Sequence, residues 1–64
     1  MDIKEVYCIQ DFVEDGTVYW SEGCYYKVTG YDDALEGFYI KHNYGEGIIY
    51  DEDFDDYFVD ATQD

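Results

Sequence analysis

The sequence predicts an all-β fold, mostly strand with one short helical turn, forming a small partly open barrel or a strongly bent antiparallel sheet. Three observations carry this. The chain has no proline and is rich in aromatics, with nine Tyr, four Phe and one Trp in 64 residues, a composition that suits strands better than helices. Its apolar residues alternate with a period of two over several short segments. Those segments recur about every ten residues with glycine-bearing turns between them. A single domain over residues 1–60 is expected, with 61–64 as a frayed tail.

The elements follow in order. Lys4 to Gln10 reads as a strand, with Val6 and Cys8 on one face and Tyr7 and Ile9 on the other. Asp11 to Gly16 reads as a loop with Phe12 and Val13 tucked beneath it, and Thr17 to Trp20 as a short apolar strand. Ser21-Glu22-Gly23 is a turn. Cys24 to Tyr31 is the clearest strand, with Cys24, Tyr26 and Val28 alternating against Tyr25, Lys27, Thr29 and Tyr31. After a loop at Asp32 to Gly37, Phe38 to His42 alternates again, with Phe38 and Ile40 inward. Asn43 to Gly47 is a hairpin connection, and Ile48 to Tyr50 is the next strand. Phe54 and Phe58 then stand four apart, the spacing of one helical face. Asp51 or Asp53 is positioned to cap that turn, and a last strand follows near Phe58-Val59.

A chain this short buries only about 60% of its unfolded surface. Its core must therefore be thin, and aromatic side chains must supply much of the buried area. The two cysteines, Cys8 and Cys24, read as buried, reduced, small apolar residues. No zinc-type ligand set accompanies them, because His42 is the only histidine, and no metal or other cofactor is expected. His42 reads as a solvated or edge residue at a strand end. With no nucleophile paired to a base, an enzyme is not expected. Asp51-x-Asp53-x-Asp55 imitates the start of a calcium loop. Asp56 and Thr62 then stand where that loop needs Gly and Glu.

The strongest signal is charge. Seventeen Asp and Glu against three Lys give a net charge of -14. Direct nucleic-acid binding is excluded, since phosphate contacts need a basic face, and the charge argues against docking on an anionic membrane. The N-terminus carries no basic region followed by an apolar run, and no apolar stretch has the length of a membrane span. A cytoplasmic location is expected. Self-repulsion on this scale destabilises a small fold, so the charge points to a basic partner. Fourteen charges equal about seven base pairs, or about 24 Å of duplex, which suggests mimicry of nucleic acid. The candidate partner-binding residues are Asp51, Glu52, Asp53, Asp55, Asp56 and Asp60, then Asp32, Asp33 and Glu36, with Glu14 and Asp15 third. Tyr57, together with Tyr25, Tyr31, Tyr39 and Tyr44, is a candidate aromatic anchor. The competing expectation is a protein–protein adaptor that uses Tyr side chains or Trp20, with acidity serving only solubility. Either a monomer or a homodimer is compatible with the charge.

Four stretches carry a resemblance. They are Cys8-Ile9-Gln10-Asp11-Phe12, Glu22-Gly23-Cys24-Tyr25-Tyr26-Lys27-Val28, Gly37-Phe38-Tyr39-Ile40 and Phe54 to Phe58. Over about residues 4 to 59 the chain resembles the small SH3-like barrel proteins of bacteriophage genomes. It departs from their pattern at Glu22, often Lys there, and in its higher acid load. The resemblance implies an SH3-like barrel and a phage-encoded protein acting in the host bacterial cytoplasm. Joined to the charge, it implies an inhibitor of a basic host DNA-binding protein, such as a sliding clamp, RNA-guided nuclease, polymerase, uracil-DNA glycosylase or nucleoid protein. A structural phage module is the alternative it leaves open.

Overall fold

The long strand β4, Tyr25–Asp32, organises the chain. Its side chains alternate without a break: Tyr25, Lys27, Thr29 and Tyr31 are exposed, and Tyr26, Val28, Gly30 and Asp32 are half-buried. Its first half pairs antiparallel with β1, Glu5–Cys8. Its second half pairs with β5, Gly37–His42. A register shift between Val28 and Gly30 separates the two halves, and such a bulge bends the strand and increases its twist. One strand thus serves two differently oriented parts of the sheet. The computed structural model describes residues 2–63.

Strand β6, Gly45–Tyr50, lies outside β5, and β7, Phe58–Asp60, lies outside β1. The resulting five-stranded antiparallel sheet has the order β6-β5-β4-β1-β7 and remains open rather than closing as a barrel. Helix α1, Asp51–Tyr57, follows β6 directly and leads directly into β7. Seven residues therefore carry the chain from one edge of the sheet to the other. The helix spans about two turns, longer than the single turn expected. Its N-cap is Tyr50, with no side-chain cap, which corrects the expected capping by Asp51 or Asp53. Both lie inside the first turn with Glu52, where negative charge suits the exposed N–H groups.

The interior is as thin and aromatic as the composition demands. Val6, Cys8, Trp20, Ile40, Ile49, Phe54 and Phe58 are buried. The Phe54 ring lies 5.0 Å from Phe38 and 5.8 Å from Phe58, and Trp20 meets Phe58 edge-on at 5.8 Å. The Trp20 indole donates through Nε1 to the Lys41 carbonyl at 3.0 Å, so its one polar atom is satisfied in the core. The outer edge of the Trp20 indole also approaches Gly47, where an added Cβ would come within 2.8 Å of its Cη2.

Several expectations need correction. Residues 11–16 are not a loop. Strand β2, Phe12–Glu14, pairs with β3, Thr17–Trp20, as a separate two-stranded sheet. Asp15 and Gly16 turn between them, both at positive φ (52° and 78°), as a two-residue type I′ hairpin requires. Val13 is exposed on that hairpin rather than tucked beneath it. Cys24 is exposed while Cys8 is buried, because the Cys8 amide donates to the Cys24 carbonyl while the Cys8 carbonyl accepts from the Gly23 amide, and this irregularity turns the Cys24 side chain outward. His42 is half-buried, edge-on to Tyr19 and Trp20 at 4.9 and 5.2 Å. Where fraying was expected, the Ala61 amide donates to the Glu5 carbonyl at 2.8 Å, and Thr62 Oγ1 accepts from the Lys4 amide at 2.9 Å. The pairing of β7 along β1 therefore extends through Thr62. Asp64, also assigned to that tail, lies outside the described residues.

Phe58→Ala is expected to cost about 3–5 kcal/mol, measured as a fall in the urea midpoint. A variant that melts like the parent would place the core elsewhere. Gly47→Ala is expected to cost about 1–3 kcal/mol by overpacking against Trp20, with loss of the near-UV tryptophan signal as its marker.

Candidate functional site: an acidic end

The turn between β4 and β5 is built by a carboxylate. Asp32 Oδ1 accepts from the amides of Ala34 and Leu35 at 2.9 and 3.0 Å, and Oδ2 accepts from the Tyr39 hydroxyl at 2.7 Å. Asp and Asn favour such local turns because the side chain accepts from amides two or three residues on. The Tyr39 hydrogen bond, then the Leu35 amide, hold the Asp32 carboxyl below its ordinary pKa. The same contact, seen from the phenol, raises Tyr39. Glu36 closes the turn at positive φ, 56°, a conformation that costs a residue with a Cβ.

This turn is tied to the helix. The Asp51 amide donates to the Glu36 carbonyl at 2.8 Å, and the Tyr31 hydroxyl donates to Asp51 Oδ2 at 2.6 Å. The Tyr31 phenol is pushed up to about 12, first by that hydrogen bond and then by burial and the surrounding carboxylates. Asp32, Asp33, Glu36, Asp51 and Glu52 therefore converge on one end of the molecule. Leu35 and Tyr50, 52% and 43% exposed, line a shallow depression there with Glu36, Asp51 and Glu52. An open groove of about 540 Å³ adjoins this end. It shares Tyr31 and Asp51 and is floored by Ile3, Val28 and Phe38.

The remaining candidate acids are placed differently. Asp55 and Asp56 are exposed farther along α1, and Asp53 is half-buried. Asp60 lies on the edge strand β7, where hydrogen bonds from Thr62 hold its carboxyl below the ordinary value. Glu14 and Asp15 flank the tip of the separate hairpin. Among the candidate aromatics, Tyr25 and Tyr44 are well exposed, at 62% and 69%. Tyr39 is half-buried. Tyr57 is also half-buried and packs on Phe12 at 5.0 Å. Tyr50 and Leu35 were missed. Alternation around Ile49 was the available signal for Tyr50, since a buried Ile49 turns its neighbours outward.

Two of the three lysines face a glutamate across a strand pair, Glu5 opposite Lys27 and Lys41 opposite Glu46. This register places these two cations away from the β4–β5 turn, and the Glu46 carboxylate accepts from the Thr29 hydroxyl. His42 Nδ1 accepts the Tyr44 amide at 3.1 Å, and burial pushes the Cys8 thiol up. No group of three or more His, Cys, Asp or Glu able to hold a metal ion occurs among the described residues. No helix among them is long and apolar enough to cross a membrane. Comparison with family models, curated proteins and solved structures finds no match.

Asp51→Asn is expected to bring the Tyr31 pKa down from about 12 toward the ordinary phenol value of about 10, followed by ultraviolet absorbance during alkaline titration. The raised folded pKa means that the contact stabilises the protein fully below the unfolded pKa. That contribution is lost as pH rises through about 12. An unchanged titration in Asp51→Asn would break the assignment.

Proposed function

We propose that this protein binds a basic, DNA-handling protein through its acidic end and occludes the groove or channel that DNA uses. The resemblance to phage SH3-like proteins suggests a phage-encoded inhibitor acting on a host protein in the bacterial cytoplasm. The observation that carries the reading is the convergence of Asp32, Asp33, Glu36, Asp51 and Glu52, from two separate segments, on a chain of net charge -14. The molecule measures 32 × 26 × 21 Å. A duplex of the longest dimension carries about 19 phosphate charges at one per about 1.7 Å, so the protein approaches the charge density of DNA. Such a surface steers association with a basic groove and makes it salt-sensitive.

Energetics sharpen the reading. Charge alone contributes more to encounter rate than to affinity, so tight binding needs desolvated anchors. Tyr31, Leu35 and Tyr50 stand among the acids and fit that role. The adaptor reading loses Trp20, which is buried, and rests on Tyr25 and Tyr44.

The test is capture from bacterial lysate with stepwise salt elution and competition by duplex DNA. The proposal expects a basic DNA-binding protein, released by salt and displaced by duplex. Neutralising Asp33, Glu36 and Glu52 together (Asp33→Asn, Glu36→Gln, Glu52→Gln) is expected to weaken that capture at least tenfold. Glu14→Gln with Asp15→Asn, on the separate hairpin, should change it little. Capture that ignores both salt and duplex would instead favour the adaptor.

A further inference from the structure

Strand β4 runs on past the partner it has on one side. β1 pairs with it through Glu5 opposite Lys27, and the last link is the Val28 amide donating to the Lys4 carbonyl at 3.0 Å. The Lys4 amide turns instead to Thr62 Oγ1 at 2.9 Å, so the two segments part there. Residues 29–32 of β4 pair with β5, and among the described residues no strand pairs along their other side. The ladder shows which backbone groups this leaves. The Asp51 amide donates to the Glu36 carbonyl, so by alternation Phe38 and Ile40 face β6 while Gly37 and Tyr39 face β4. Gly37 and Tyr39 stand opposite Asp32 and Gly30, which turns the Tyr31 amide and carbonyl to the free side. That edge is one wall of the 540 Å³ groove, whose floor is Ile3, Val28 and Phe38 and whose rim carries Asp2 and Asp51. A row of unpaired strand groups is a template for another strand.

We infer that this groove takes an extended, arginine-bearing segment of a basic protein, added as a short strand along residues 29–32 of β4. The inference rests on the acidic-end reading and gives that partner a form. In strand addition the main-chain bonds supply affinity and alternate side chains supply specificity. An arginine suits both parts of the groove. Its aliphatic stem packs on Ile3, Val28 and Phe38, and its guanidinium reaches the carboxylates of Asp2 and Asp51, both exposed. Asp51 already accepts from the Tyr31 hydroxyl through Oδ2, and a carboxylate has capacity for further donors. Lys4 is the one cation among the lining residues, against two carboxylates there and a net charge of -14 on the whole chain. An acidic segment, including any from a second copy of this chain, is therefore repelled.

The test is titration of the isotope-labelled protein with a hexapeptide of alternating arginine and valine, followed by amide NMR. The expected result is saturable shifts at Ile3, Thr29, Gly30 and Tyr31, with slowed hydrogen exchange at the Tyr31 amide. A peptide of the same sequence with alternate backbone nitrogens methylated keeps the charge and loses the donors. It is expected to bind about tenfold more weakly. Asp2→Lys is expected to weaken the unmethylated peptide about fivefold, and Glu14→Lys, the same charge change on the separate hairpin, to weaken it less. Unchanged thermal melts verify that both variants keep the fold. Absence of saturable shifts, equal binding of the methylated peptide, or equal effects of the two lysine variants overturns the inference. The lysate capture is read separately. Capture that persists while the hexapeptide fails overturns the groove alone, and hexapeptide binding without capture of a DNA-binding protein supports the groove and overturns the reading it rests on.

Discussion

The fold depends on two phenylalanines of the crossover, Phe54 in the helix and Phe58 at the first residue of the strand that follows it. The sheet is open, its edge strands β6 and β7 are consecutive in sequence apart from α1, and only α1 carries the chain between them. Phe54 from the helix and Phe58 from the start of β7 turn inward at that crossing and meet Phe38 and Trp20. Without this wedge, the hydrophobic interior would have no cover between the sheet's two edges. Because β7 begins at Phe58, the same contact also positions the strand that pairs with β1 and carries the chain to Thr62.

That constraint sets where the charge lies. The first residue of α1 is held by the Glu36 carbonyl and by the Tyr31 hydroxyl, so seating the helix in the core brings its acidic first turn to the acidic β4–β5 turn. The arrangement concentrates like charge, which opposes folding. Local features offset part of it. Asp51, Glu52 and Asp53 sit at the favourable end of the helix. The Asp32 and Asp51 carboxylates each accept a phenol hydrogen bond, and such charge-assisted bonds are stronger than neutral ones. The acidic end thus has structural partners within the fold while Asp33, Glu36 and Glu52 remain exposed.

The surface is therefore uneven in character. Around the first turn of α1 and the β4–β5 turn it is dominated by carboxylates, while the outer side of β7, β1 and β4 exposes Val59 and Tyr25.

Much was legible in the sequence because its signals are local. Period-two alternation marked β1, β4 and β5, and a short apolar run marked β3. The four-residue spacing of Phe54 and Phe58 marked the presence of a helical turn, although only Phe54 is its buried residue and Phe58 opens β7 in extended backbone. The acid count marked the character of the surface. The β2–β3 hairpin was equally local, signalled by Asp15-Gly16, but Val13 and Glu14 lack the alternation that identifies a strand. Other features depended on long-range pairing and had no local signal. Ala61 and Thr62 are hydrogen-bonded to Glu5 and Lys4, Cys24 is exposed because of an irregularity opposite Cys8, and Tyr57 is half-covered because Phe12 packs on it. The sequence by itself determined a β-rich, aromatic-cored, strongly acidic domain, since composition and short-range period depend only on neighbours along the chain. Only the tertiary structure decided that Asp32, Asp33 and Glu36 join Asp51 and Glu52 while Asp60 sits on an edge strand, because the path of α1 across the open sheet sets which distant carboxylates become neighbours.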